Sequence, residues 1–137
     1  MKVTAKLDYT CRILCELART FASGEPVSIE HLSRAENVPA NFLAQILGEL
    51  RQARLVVSRR GIQGGFLLAR APAAVTLFDI IEGVEADWFS PSPPAGGRSG
   101  RALRQIWDEI AAAAAAKAKA YTLEAMASRV DAEMYYI

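Results

Sequence analysis

Residues 88–100, WFSPSPPAGGRSG, restrict the fold more than any other stretch: with three prolines and three glycines in thirteen positions they can be neither helix nor strand. Strongly helical patterns lie on both sides, so the stretch interrupts the chain as a hinge, a tether or an emptied sensor site. A chain of 137 residues, 52% apolar, can bury one sizeable core, and its length calls for no second complete domain. The expected organisation is a compact unit over residues 1–84, a Pro/Gly-rich connection over 85–100, and an appended helical segment over 101–137.

Within the compact unit, Leu7, Cys11, Leu14, Cys15, Ala18 and Phe21 recur at helical spacing over residues 6–22. Ile13 and Leu17 widen that surface, so the first helix is expected to be buried on most sides. Ser28 stands at the N-cap position of a short second helix carrying Ile29, Leu32 and Ala35, broken at Asn37-Val38-Pro39. From Ala40, Leu43, Ile46, Leu47 and Leu50 mark a third helix, with Pro39 suited to its first turn and Asn41, Gln45, Glu49 and Gln52 outward. Two short helices joined by a tight turn, behind a longer buried one, make a helix-turn-helix.

The pattern then changes. Aliphatic and β-branched runs at 55–59 and 66–69 flank the glycine-bearing loop 61–65, which reads as a β-hairpin. Thr76-Leu77-Phe78-Asp79 matches a capping box and opens a helix through Ile80, Ile81 and Val84. A long helix is expected from about Arg101, with Leu103, Ile106, Trp107, Ile110 and Ala114 along one stripe and alanine throughout 111–116. Thr122 is placed to cap a last short helix over 123–130. The fold class is mainly α with a small β-hairpin: a winged helix-turn-helix domain plus a long C-terminal helix.

The net charge of +1 points to neither nucleic acid nor membrane, but its distribution is uneven. Between Arg51 and Phe78 lie five arginines (Arg51, Arg54, Arg59, Arg60, Arg70) and no acid, and the rest of the chain is net acidic. No apolar run is long enough to span a membrane and no export signal opens the chain, so a cytoplasmic protein is expected. Catalytic constellations are missing: there is one histidine, His31, and no nucleophile-elbow, phosphate-loop or zinc-protease pattern. Cys11 and Cys15 share a helix face, a spacing that disfavours a disulfide and makes a poor metal site. Buried core thiols, with redox use as the alternative, are the reading there.

In a winged helix-turn-helix the third helix lies in the major groove and the wing approaches the backbone or minor groove. Asn41 and Gln45 carry amides able to pair with an adenine edge, and Phe42 lies between them. Arg59 and Arg60 enter the wing, and Gly64 and Gly65 would let backbone N–H groups approach phosphate. A non-DNA interaction module, its arginines meeting an acidic partner, is the alternative.

Four segments resemble the IscR/NsrR/CymR family of bacterial winged-helix regulators, the Rrf-two superfamily: KLDYTCRILCELA; VSIEHLSRAENVPANFLAQILGELRQARLVVSRRGIQGGFLLAR; VTLFDIIEGVE; and ALRQIWDEI followed by YTLEAM. They cover nearly the whole chain. The resemblance implies a homodimer on palindromic double-stranded DNA, a repressor, with each long helix crossing its twin through Leu103, Ile106, Trp107, Ile110 and Ala114. Packing of that helix on its own head is the alternative. Lys6, Ser28, Arg51, Arg59, Arg60, Gly61, Gln63, Gly64 and Gly65 are assigned to backbone contacts and the wing, and Asn41, Phe42 and Gln45 to base reading.

Two departures matter. Sensing relatives carry three cysteines before the dimer helix, and this chain has none between Val84 and Arg104, so an iron–sulfur cluster is not expected. Asp8 matches the position of an acidic ligand in some relatives, but one carboxylate cannot hold a cluster. Relatives also commonly place a glutamate where this chain has Ala44, which leaves the operator sequence open. Three modes of regulation remain open: a small ligand near Trp88, Phe89 and Trp107, a partner protein at the loop or at Glu85 and Asp87, or thiol oxidation at Cys11 or Cys15. No cofactor is predicted.

Overall fold

The computed structural model describes residues 2–90, 94 and 96–135, the side chain of residue 135 excepted. The elements are α1 (Ala5–Thr20), α2 (Ile29–Glu36), α3 (Ala40–Gln52), β1 (Val56–Arg59), β2 (Gly65–Leu68), α4 (Leu77–Val84), α5 (Gly100–Lys119) and α6 (Leu123–Tyr135), with 3₁₀ turns at Phe21–Ser23 and Pro72–Ala74.

Helix α1 is the centre of the core, and Ile13, Leu14 and Leu17 are all but inaccessible to solvent. Around it pack Leu32 of α2, Leu43, Ile46, Leu47 and Leu50 of α3, Leu55, and Ile80 of α4. The short helices are defined by their ends. Ser28 Oγ accepts the His31 N–H at 3.1 Å to cap α2, and Asn37, at φ 54°, turns the chain sharply towards α3. Pro39 is the N-cap of α3 and not a first-turn residue as expected: its extended ψ of 136° lies outside the helix while its carbonyl accepts the Leu43 N–H at 3.0 Å. At the other end the Arg54 N–H reaches the Arg51 carbonyl at 3.0 Å and the Leu55 N–H reaches that of Leu50 at 2.9 Å. This is a Schellman turn with Arg54, φ 61°, where glycine is usual.

The hairpin is antiparallel, running from Val56 opposite Leu68 to Arg59 opposite Gly65. Gly65 therefore closes the ladder, and the loop lies one residue earlier than expected. A third, single-residue strand is present as well. The Val27 N–H donates to the Phe66 carbonyl at 2.9 Å and the Phe66 N–H returns to Val27 at 2.8 Å, fastening the wing to the entry of α2. Gly65, at φ 155°, permits this approach, since a Cβ there would collide with the Val27 carbonyl.

The capping box of α4 is present, with Thr76 and Asp79 exchanging bonds of 3.0 and 3.1 Å. The core does not close at residue 84. Leu123 and Ala127 of α6 complete it, so α6 belongs to the head and not to the appended segment as the sequence boundaries had it. Thr122 Oγ1 accepts the Ala125 N–H at 3.1 Å, and α6 runs well past the expected end at Val130 because Asp-Ala-Glu-Met continues with no breaker.

Helix α5 is the element without a full partner. Leu103, Ile106, Trp107 and Ile110 are between 44 and 57% exposed and Ala114 is half-buried, whereas the opposite side leans on α4. The expected grouping of Trp88, Phe89 and Trp107 does not form. Phe89 stacks on Phe78 with centroids 5.2 Å apart and Trp88 meets it edge-on at 4.8 Å, while Trp107 stands on the open stripe. Trp88 and Phe89 sit in a turn begun by the Trp88 N–H to Glu85 carbonyl bond of 2.9 Å and rest half-buried against the core. Residues 91–93 and 95, the proline-rich part of the expected connection, lie outside the described residues.

Candidate nucleic-acid interface

The burial of α3 divides it cleanly. Leu43, Ile46, Leu47 and Leu50 face the core, while Asn41, Gln45, Gly48 and Gln52 form one exposed ridge with Ala44 and Arg51 beside it. Phe42 is 49% exposed at the ridge's edge and is held by an edge-on contact with Tyr9, centroids 6.2 Å apart. Glu49, expected on the outward side, is turned in towards α1, where its Oε2 lies 2.9 Å from Lys6 Nζ. Two expectations change together. Lys6 is paired with Glu49 in the free protein, so a phosphate contact there would compete with that pair, and the ridge carries no negative charge.

Gly48 lies in the middle of the ridge, with nothing within 4 Å of where a Cβ would stand. A mid-helix glycine costs about 0.5–1 kcal/mol relative to alanine, and no neighbour in the fold requires it.

On the wing, Arg59, Arg60, Gly61, Ile62 and Gln63 are exposed. The Gly64 N–H is already bonded to the Gly61 carbonyl at 3.0 Å, so it is not available to phosphate as expected. Gly64 serves sterically, because a Cβ there would run into the Arg59 carbonyl. Ile62 at the tip is fully exposed and escaped the sequence reading; an isoleucine set in a glycine-rich polar loop was the available signal. Between the wing and the start of α2 lies a cleft of about 570 Å³, with Gln63 and Gly64 on one wall and Ser28 and His31 on the other.

Arg51, Arg54, Arg59, Arg60 and Arg70 are all exposed, and among the described residues none has a carboxylate partner. Five guanidinium groups without a carboxylate partner are thus carried by the α3–wing segment, Arg51 on α3 itself and Arg59 and Arg60 at the wing, alongside the amides of the exposed ridge. This is a surface suited to a polyanion whose bases are read by hydrogen bonds.

Cys11 is half-buried and Cys15 buried, both as free thiols. Burial, with the neighbouring Cys15 and Asp8, pushes the Cys11 thiol up to about 12, and burial raises Cys15 as well despite Arg19. The raised values keep both thiols largely protonated and weakly nucleophilic at neutral pH. Near Phe89 there is a cavity of about 380 Å³ between α4 and α5, which Trp107 does not line. Among the described residues no three His, Cys, Asp or Glu side chains are grouped to hold a metal.

Comparison with known proteins gives a consistent result. The family model described as "Rrf2: Iron-dependent Transcriptional regulator" matches residues 3–129. The HTH-type transcriptional regulator CymR of Bacillus subtilis is 35% identical over the full length of both chains. IscR of Cereibacter sphaeroides is 31% identical over 82% of this chain and 77% of that protein. The solved structure of CymR, the global cysteine regulator of B. subtilis, superposes with a TM-score of 0.80 at 32% identity, covering 94% of this chain and 98% of that one. IscR of T. potens does so at 0.79 with 27% identity, covering 95% and 88%.

Proposed function

Because the chain belongs to the Rrf2 family of transcriptional regulators, we propose that it acts as a homodimer that represses transcription by occupying a palindromic operator. Its relatives are HTH-type transcriptional regulators, so the winged unit is a DNA-binding one and not a protein-interaction module. The observation that carries the finer reading is the set of exposed arginines without carboxylate partners in the segment from α3 through the wing, next to the amide-bearing ridge of α3. In this reading α3 enters the major groove with Asn41 and Gln45 on base edges. Arg51, Arg59 and Arg60 neutralise phosphates, Ser28 and Gln63 line the adjoining backbone, and Ile62 meets the minor groove as an apolar tip. The exposed stripe of Leu103, Ile106, Trp107 and Ile110 supports the dimer, since an apolar helix face of this length is buried best against its own copy.

The test is retention on duplexes selected from a random pool. Selected sites should be palindromic, and Arg59→Ala with Arg60→Ala should weaken retention about tenfold or more. Undiminished retention would overturn the reading. Ile106→Asp with Ile110→Asp should halve the sedimenting mass, and a monomeric native protein would remove the dimer.

The family description names iron, and the donors of this chain do not fit a conventional iron–sulfur cluster. Both cysteines lie on α1, one of them buried, and the segment before α5 has none. Regulation without such a cluster is the proposal, and the elemental iron content of protein purified anaerobically checks it.

A further inference from the structure

A cavity of about 720 Å³ opens between α1 and α6, and none of its lining residues belongs to α3 or the wing. Cys11 and Cys15 form one wall, Leu77 and Tyr121 the floor, and Met126 and Arg129 the far side. The volume falls in the range of small-molecule sites, and most of this lining is apolar or sulfur-bearing. The charges at its rim differ in kind. Arg12 is paired with Asp8 at 2.6 Å, and Arg19 is held by three carboxylates. Arg129 has no carboxylate partner among the described residues; its guanidinium rests 5.4 Å from the centre of the Tyr121 ring. The cavity therefore combines an apolar and sulfur-bearing surface with a charged rim, on which Arg129 is the one lining guanidinium without a carboxylate partner among the described residues.

We propose that this cavity is the effector site of the regulator and takes a small amphiphilic organic anion, its apolar body against Leu77 and Met126 and its carboxylate on Arg129. The effector role rests on the regulatory reading above; the binding itself does not. The position suits an effector. Its α1 residues belong to the DNA-reading head, and Tyr121 lies in the joint where the chain leaves α5. There the Leu77 N–H donates to the Tyr121 carbonyl at 2.9 Å and the Leu123 N–H to that of Val75 at 2.7 Å. A molecule seated here touches the head and the anchorage of the long helix together, so differential affinity for two arrangements would be felt at the operator.

The experiment uses the full-length protein with anilinonaphthalene sulfonate as a fluorescent amphiphilic anion, decanoate as competitor and decanol as its uncharged counterpart. Decanoate should displace the dye at least tenfold more effectively than decanol. Arg129→Gln should reduce that advantage at least fivefold while leaving decanol unchanged, and Ala125→Trp, which fills the chamber, should abolish dye binding. Equal displacement by the two competitors, or dye binding indifferent to Arg129→Gln, overturns the site. Arg129 is on the surface, so that arm stands even if Ala125→Trp disturbs folding. Saturating decanoate should change retention on the selected duplexes at least threefold, and unchanged retention overturns the effector role. Retention measured first without decanoate separates the two readings: its absence defeats the DNA-binding proposal, while the dye measurements still decide the cavity.

Discussion

Arg19, where α1, α2 and α6 meet, lies 2.7 Å from Glu16, 3.3 Å from Glu36 and 2.8 Å from Asp131, whereas Arg59, Arg60 and the other arginines of the 51–70 block have no such neighbour. Burial works against the charge on Arg19, yet hydrogen bonds to Asp131 and Glu16 hold its pKa above the usual guanidinium value. A cation answered from three sides fastens elements together and has nothing left to offer a ligand. The wing-side arginines have no such partner, so their charge is left to an external polyanion. The same residue type is structural in one place and a recognition element in the other, and what separates them is the count of local carboxylates.

Removing each kind of arginine should break different properties. Arg19→Leu strands three carboxylates in a partly buried junction and should lower unfolding free energy by about 2–3 kcal/mol, read by urea denaturation. DNA affinity per folded molecule should be unchanged. Arg59→Ala with Arg60→Ala should leave the urea midpoint in place and lower the slope of log affinity against log salt by about 2. A shift in midpoint without a change in slope would reverse the assignment.

Gly48→Ala sharpens the contrast at a neutral position. It should stabilise the fold by about 0.5–1 kcal/mol and weaken DNA retention, because the added methyl stands on the ridge that meets the duplex. Stabilisation with full retention would show that the glycine has no part in close approach.

The smallest expected effect concerns pH. Burial pushes the Glu16 pKa upward, but hydrogen bonds from His31 and Arg19 outweigh it and hold the carboxyl below its ordinary value. A depressed carboxylate adds stability above its unfolded-state pKa, about 4.3, and that stability disappears as pH falls through the lower folded value. Glu16→Gln should therefore flatten the acid limb of the stability profile below about pH 4.5. An unaltered limb in thermal melts would exclude Glu16 as its source.

How much of this was legible beforehand depends on the range of the interaction. The Ser28 cap, the Thr76/Asp79 box, the buried face of α3 and the hairpin all follow from spacings of two to four residues, and each is present. The interface was legible in outline for the same reason, since Asn41, Gln45, Arg59 and Arg60 occupy positions that local pattern exposes. The pairing of Lys6 with Glu49 was not legible because the two are distant in sequence. Gly64 was misjudged because its N–H bond depends on the conformation of the loop.

By itself, then, the sequence determined the elements, their order and the concentration of positive charge, because helical and strand periods and caps are local properties of the chain. The tertiary structure alone decided which faces meet. It joined Val27 to Phe66, drew α6 into the head through Leu123 and Ala127, and set Trp107 apart from Trp88 and Phe89. It also opened a cavity between α1 and α6. Periodicity states which side chains share a face, but the pairing of faces is set by volume, hydrogen-bond closure and charge across separations that periodicity does not encode.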